Sequence, residues 1–510
     1  MLKVTRRDFL KLSVAASGSL AFSRLAPQFL SVKEGQGASQ PGVVILVFDA
    51  MSARNLSLYG YKRNTTLNLE RFAQRATVYN AHYSTGTFTT PGTASLLTGL
   101  YPWTHRAFNV AGLIARQVVH RNIFNLSGKG AQRVAFSQNS WPNYFFNQFQ
   151  EDIDEILPPG SFSLIDQLVG DKLSGDSLNA QRAFEDFLFQ DGTPPPSLVL
   201  GLAERILLRK RLNRAPKDGY PNGLPRTGSY PVFFRIEDLI DGLIGTMNNL
   251  SGPFMAYFHL YPPHSPYTPT EKFFRSFKGD NFFVEKPNHV LGDNTPVDRL
   301  NNLRRVYDEY IASLDHEFGR LYDVLDKTGF LEKNYVVVTS DHGEMFERGV
   351  KGHNSPLLYD PGVQVPLIIS SPGQANRRDV YSPTSSVDIL PTLIHLTGGD
   401  IPDWREGEIL PLLGGQESTG RSVFSMYAMN NPAFEPLQKI SLAMRKDQYK
   451  FIYYRNFNDY NREDRFELFD LESDHDELKD LYPDNPAITR SLKDELLGKL
   501  EDVNSSFHTQ

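Results

Sequence analysis

The chain has 510 residues, 40% of them hydrophobic and 22% charged, with no cysteine and a formal net charge of −6. That length suits one large α/β unit plus a smaller one, and the composition is that of an ordinary globular protein. The negative balance argues against a general nucleic-acid binder, and the lack of thiols excludes a disulfide framework, a cysteine zinc site and any cysteine-derived modified residue.

At the N-terminus, Thr5-Arg6-Arg7-Asp8-Phe9-Leu10-Lys11 precedes a weakly apolar stretch over 12–22, and together they read as a twin-arginine export signal within residues 1–30. The apolar stretch is about 11 residues long, short of the roughly 20 that a spanning helix needs. No later stretch reads as a membrane span. The expected location is periplasmic, extracellular or membrane-anchored by an uncleaved signal. Residues 31–41, rich in Gly, Ser and Gln and ending at Pro41, read as a linker.

Val43-Val44-Ile45-Leu46-Val47-Phe48 is a continuous apolar run ending in Asp49, the pattern of a strand covered on both faces. Comparable runs recur over 133–136, Phe254–Leu260, Tyr335–Thr339 and 366–369. Between them the longest helical pattern runs over Val297–Lys327, with apolar residues at Leu303, Val306, Tyr310, Leu314, Phe318, Leu321 and Leu325. Strands alternating with helices predict a doubly wound, mostly parallel α/β sheet flanked by helices over residues 42–414. In such a sheet ligands gather at the carboxyl ends of strands, where Asp49 and Asp341 fall. An insertion over about 161–246 carries a basic patch of Arg205, Arg209, Lys210, Arg211, Arg214 and Lys217, read as a solvated helix face. Residues 445–451 are expected as a strand.

A carboxylate at the end of a buried strand has little structural use unless it meets a cation. Asp49 is one such residue, and Ser340-Asp341-His342-Gly343-Glu344 follows a second buried strand in the same way. Two carboxylates and an imidazole suit a divalent metal. Gly343 is expected to let the backbone turn sharply past these ligands.

The order of the motifs resembles the sulfatase family of the alkaline phosphatase superfamily. Thr89-Thr90-Pro91-Gly92-Thr93-Ala94-Ser95-Leu96-Leu97-Thr98-Gly99 is similar to the sulfatase signature, in which a modifiable Cys or Ser is followed by x-Pro-Ser-Arg and Leu-Thr-Gly. Thr66 to Ala73 resembles the family's TPNLDRLA helix, and Pro263-His264-Ser265-Pro266-Tyr267 its PHxPY segment. Residues 387–393 resemble VDILPTLL, and residues 466–477 resemble the ELYDLxxDPxE ending. Residues 442–481 resemble the small C-terminal domain of sulfatases, which implies a smaller α+β subdomain over 415–510. The resemblance implies Asp49, Thr89, Asp341 and His342 as metal ligands and Thr89 as nucleophile. It gives His264 and His353 the task of holding the transferred group or protonating the leaving oxygen. His82, His105 and His259 are read as structural.

The departures narrow the chemistry. The family's second consecutive acidic ligand is Ala50 here, its Ser-Arg pair is Gly92-Thr93, and its GKWH segment is replaced by Ser137-Gln138-Asn139-Ser140-Trp141. Sulfatases use a formylglycine hydrate with two hydroxyls, one to attack sulfur and one to expel sulfate. Threonine has a single hydroxyl, so a substituted Thr89 must be released by water or another acceptor. The remaining residues are similar to the single-metal set of phosphoethanolamine transferases and lipoteichoic acid synthases, which use a threonine nucleophile with zinc or manganese. The expected activity is hydrolysis of a phosphate mono- or diester through phospho-threonine, with one divalent ion, zinc or manganese ahead of calcium. The expected partner is a small anionic ester, glycan- or lipid-linked or free. The alternatives are a sulfuric ester hydrolase with an unmodified nucleophile, a headgroup transferase to a surface glycan, and an inactive binding protein.

Overall fold

The apolar run Val43–Phe48 is strand β1, and its side chains divide strictly between two cores. Val44, Leu46 and Phe48 face one layer of helices, while Val43, Ile45 and Val47 face the other. This alternation is the period of an extended chain, and burial of both faces explains why the run contains no polar residue. The computed structural model describes residues 40–162, 206–228, 232–457 and 464–507, except 129, 207–208, 211 and 483. The twin-arginine segment, most of the linker and most of the insertion, with Arg205 and Arg211 of its basic patch, lie outside the described residues.

In chain order the remaining strands of the main sheet are β2 (Thr77–Tyr79), β3 (Gln132–Ser137), β4 (Glu155–Leu157), β5 (Phe254–Leu260), β6 (Tyr335–Thr339), then, after a hairpin of β7 (Met345–Glu347) and β8 (Val350–Gly352), β9 (Leu367–Ser370) and β10 (Arg378–Val380). Eight of these pair in the order β10-β2-β9-β6-β1-β5-β3-β4. All neighbours are parallel except around β9, which is antiparallel to both β2 and β6. The fold is therefore the mostly parallel, helix-flanked sheet that the sequence predicts.

One face is covered by helices α1 (Leu67–Ala73), α4 (Ile236–Asn249) and α5 (Val297–Lys327), the other by α2 (Thr89–Thr98), α3 (Ser140–Gln148) and α6 (Ile389–Leu396). Tyr310, Leu314, Phe318, Leu321 and Leu325 of α5 sit in the first core, as their helical spacing requires.

At the C-terminal end, β11 (Ser422–Tyr427), β12 (Ile440–Lys446), β13 (Tyr449–Arg455) and β14 (Arg465–Asp470) form an antiparallel sheet, with α7 (Pro486–Ser505) on one face. The single strand expected over 445–451 is instead two, reversed at Asp447, whose φ of 47° places it in the left-handed region that a short polar side chain tolerates. The sheet's other face packs on the main unit through Val423, Ala443, Ile452 and Phe469 against Phe88, Met345, Leu357 and Tyr359. A buried ionic pin reinforces this joint. Lys450 Nζ lies 2.8 Å from Asp360 and 2.7 Å from Glu477, and Glu477 also accepts the Asp360 amide at 2.9 Å. The glutamate that ends the ELYDLxxDPxE-like segment thus fastens one unit to the other.

Candidate active site

Three neighbouring strands deliver polar side chains at their carboxyl ends. β1 ends in Asp49, β6 runs into Ser340-Asp341-His342, and β5 carries His259 opposite Val47 of β1. The two loops are tied together: the Ser340 hydroxyl donates to Phe48 O at 2.6 Å and accepts from Met51 N at 2.9 Å. Between them Ala50 is fully buried at φ 64°, an unfavourable conformation for alanine, and its amide donates to Asp341 Oδ1 at 3.3 Å. The Tyr307 hydroxyl holds the Ala50 carbonyl at 2.6 Å.

Thr89 opens helix α2 and follows an extended Phe88. Its hydroxyl oxygen lies 3.4 Å from His342 Nε2 and 3.3 Å from Asn139 Nδ2. The Asn139 amide also donates to Asp49 Oδ2 at 2.6 Å, while its own oxygen accepts from Trp141 N and caps α3. Asp49, Thr89, Asp341 and His342 are therefore gathered, all buried.

Gly92 explains one departure from the family pattern. A side chain there would begin 2.0 Å from the Asp341 carbonyl oxygen, and the Ser84 hydroxyl, which donates to that oxygen, already occupies the adjacent space. The neighbouring Thr93 hydroxyl is 3.4 Å from Asp341 Oδ2, so the arginine position of the signature is here a direct neighbour of the carboxylate. Gly92→Ala is expected to destabilise the protein by about 1–3 kcal/mol through overpacking against backbone; an unchanged thermal midpoint would refute this packing account. Gly343 is required for the same kind of reason. Its added Cβ would meet Pro361 O at 2.1 Å, so close approach rather than a sharp turn fixes that glycine.

The histidines share one arrangement. His342 Nδ1 is 2.8 Å from Gly343 O, His264 Nδ1 is 2.7 Å from Ser265 O, and His353 Nδ1 is 2.9 Å from the Glu344 carboxylate. Each acceptor holds the Nδ1 hydrogen and leaves Nε2 as the nitrogen available for chemistry. The rings of His264 and His342 each lie 4.6 Å from that of His353, which carries both predicted catalytic imidazoles to the edge of the acidic cluster. His82 and His105 lie elsewhere, bonded to Thr384 and to Ser95, and burial pushes both down to about 3.

His259 does not have the purely structural place that the sequence reading gave it. Its Nε2 lies 3.4 Å from Asp49 Oδ2 and 3.7 Å from Asp341 Oδ2, and the three side chains present ligand atoms within 4.8 Å of one another. Among the described residues, neither His259 Nε2 nor Asp49 Oδ1, both buried, has a hydrogen-bond partner. Burial opposes ionisation of Asp49, but His264, His259 and His342 outweigh it and hold the carboxyl well below its ordinary range. Burial likewise pushes His342 down, yet Asp341 and Asp49 raise it to about 9. Orphaned buried donor atoms, two carboxylates and imidazoles fit a divalent cation.

Asn139 and Glu344 were also missed as site residues. Asn139 carried a usable signal, since it follows a buried strand and precedes a helix in the place of the missing lysine segment.

A family model described as "Sulfatase" matches residues 41–399, and one described as "N-sulphoglucosamine sulphohydrolase, C-terminal" matches residues 352–505. The chain belongs to the sulfatase family. It is 29% identical to a choline-sulfatase of Rhizobium meliloti over 44% of this chain and 45% of that protein, so this match spans less than half of the relative. It is 22% identical to an N-acetylgalactosamine-6-O-sulfatase of Bacteroides thetaiotaomicron over 90% and 93% of the two chains. Among solved structures, the phosphonate monoester hydrolase of Agrobacterium radiobacter aligns with a TM-score of 0.65 at 18% identity, covering 91% and 95%.

Proposed function

We propose that this sulfatase-family hydrolase cleaves a phosphate mono- or diester by passing the phosphoryl group to Thr89 and then to water. The observation that carries the reading is the Thr89 hydroxyl itself, set 3.4 Å from His342 Nε2 and 3.3 Å from Asn139 Nδ2 inside the buried acidic and imidazole cluster. Asp49, Asp341, His342 and Thr89 would hold one divalent ion, zinc or manganese ahead of calcium. Such an ion supplies positive charge that favours an ionised hydroxyl and neutralises the oxygens of the ester.

The chain's own groups do the rest. The Thr89 hydroxyl gives up its proton to solvent, its Oγ1 attacks phosphorus, and the bond from phosphorus to the departing oxygen breaks. His264 or His353, as an imidazolium whose Nδ1 hydrogen is held by Ser265 O or by Glu344, gives that oxygen its Nε2 proton. The Asn139 amide steadies the attacking oxygen. The first turn of α2, which no side chain caps, turns its amides toward the incoming anion. Water then attacks the phospho-threonine, an imidazole taking its proton, and free phosphate or its monoester leaves.

Sulfate ester hydrolysis is the second reading, favoured by the names of the sulfatase relatives. Initial rates on nitrophenyl phosphate, bis-nitrophenyl phosphate and nitrophenyl sulfate separate the two. We expect a phosphorus ester to be turned over at least about 100-fold faster than the sulfate, a preference of about 2.7 kcal/mol in the barrier. A sulfate ester turned over faster than both phosphorus esters overturns the first reading.

A further inference from the structure

We infer that His259 is a metal ligand, supplying the donor that Ala50 lacks, and that it makes the site one for a zinc-class cation rather than calcium. The inference rests on the metal site proposed above but concerns a residue outside the set expected from sequence.

Position comes first. β5 lies beside β1 in parallel register, Val47 opposite His259 and Phe48 opposite Leu260, and the Asp49 amide donates to Leu260 O at 2.9 Å. His259 is therefore held at the strand end next to Asp49, on the side away from β6. It is fully buried, and an unpartnered imidazole nitrogen in such a place needs a reason.

Spacing comes second. Nε2 stands 3.4 Å and 3.7 Å from the two carboxylate oxygens, longer than a good N–H···O bond at about 2.7–3.2 Å. His342 Nε2 repeats the pair of distances, 3.4 Å to Asp49 Oδ1 and 3.7 Å to Asp341 Oδ2. Atoms bound tetrahedrally to one zinc at about 2.0–2.1 Å stand about 3.3–3.4 Å apart. Each imidazole thus stands from one Asp49 oxygen (Oδ2 for His259, Oδ1 for His342) and from Asp341 Oδ2 at separations close to those of atoms sharing one small ion.

Orientation comes third. The Tyr257 hydroxyl is 3.3 Å from His259 Nδ1, a partner able to accept the Nδ1 hydrogen in the tautomer that presents the Nε2 lone pair to an ion between the carboxylates. His342 is oriented in the same way by Gly343 O. A ligating histidine with its other nitrogen tied to an outer acceptor is the usual metal-site arrangement.

The consequence is chemical. The family pattern would place a second carboxylate after Asp49, giving a set rich in oxygen that suits calcium. Here that position is Ala50, and a neutral imidazole enters from another strand. Two nitrogens with oxygens suit zinc and its neighbours, and the site carries one negative charge fewer against an anionic ester.

The test uses the full chain stripped by chelator and titrated with zinc alone or calcium alone, with metal content read by elemental analysis after gel filtration. The wild type should retain one zinc and no calcium. His259→Ala should lose zinc affinity by at least about 10–100-fold, with an altered visible spectrum when cobalt replaces zinc. His259→Asp should regain binding with its preference moved toward calcium. An anomalous map of zinc-loaded wild type provides a measurement independent of any variant's folding, and should place His259 Nε2 in bonding contact with the ion. Zinc affinity and cobalt spectrum unchanged in His259→Ala, or an ion bound without His259, would overturn the inference. Thr89→Ala keeps these outcomes apart from the nucleophile question: it should lose turnover and, being one proposed ligand short, bind zinc more weakly, while its anomalous map still places His259 Nε2 in contact with the ion.

Discussion

Thr89→Ala is expected to lower kcat/KM for a phosphorus ester by about four to six orders of magnitude, the scale seen when a catalytic nucleophile is removed. The substitution is small, and among the described residues the side chain makes two polar contacts, 3.4 Å to His342 and 3.3 Å to Asn139, so folding should survive it. Thr89→Ser should recover part of the rate, since it restores the hydroxyl and drops only the methyl. Steady-state kinetics on all three proteins, with metal content measured in parallel, checks this. Activity unchanged by Thr89→Ala would mean that water attacks the ester directly, and the threonine would then be no more than a wall of the site.

Asp49→Asn is the second large effect. Asp49 carries the orphaned Oδ1, accepts the Asn139 amide, and faces three imidazoles that keep it ionised despite complete burial. Replacing the carboxylate by an amide keeps the shape and removes the charge. Metal affinity should fall by at least about 100-fold, more than loss of an outer-sphere partner would cause. Bound metal stabilises the native state in proportion to its affinity, about 2.7 kcal/mol at 100 times Kd. The thermal midpoint of the wild type should therefore rise on adding zinc, and that of Asp49→Asn should not.

A pH dependence follows from His342. Without metal its imidazole, raised to about 9 by Asp341 and Asp49, is protonated at neutral pH, and a ligand must give up that proton. Zinc affinity should climb by up to about tenfold per pH unit toward pH 9 and weaken as pH falls. Zinc titrations at several pH values, with proton release measured, check the sign. An Asp49→Asn variant that binds zinc as tightly as wild type would remove Asp49 from the site.

The legible part of this protein was the part written in apolar runs. β1, β5 and α5 could be read because both faces of a covered strand, or one stripe of a long helix, must be apolar. β2 and β10 could not, since runs of three residues carry no periodicity. The reversal at Asp447 was lost inside a run that looked continuous. For the site, Asp49, Thr89, Asp341 and His342 stood out because each ends a strand or opens a helix within a recognisable motif. His259 sits inside an apolar strand with no motif around it, and only the pairing of β5 with β1 brings it to Asp49. Gly92 looked like a loss from the signature, whereas the Asp341 carbonyl leaves no room there for a side chain.

The claim on which the account depends is that the transferred group passes through the Thr89 oxygen. Metal-loaded enzyme quenched in acid during turnover of nitrophenyl phosphate, then digested and analysed by mass spectrometry, addresses it directly. The peptide holding Thr89 should carry one phosphoryl group on that residue, and the Thr89→Ala protein should carry none. A phosphoryl group found on another side chain, or on no residue while product accumulates, would contradict it.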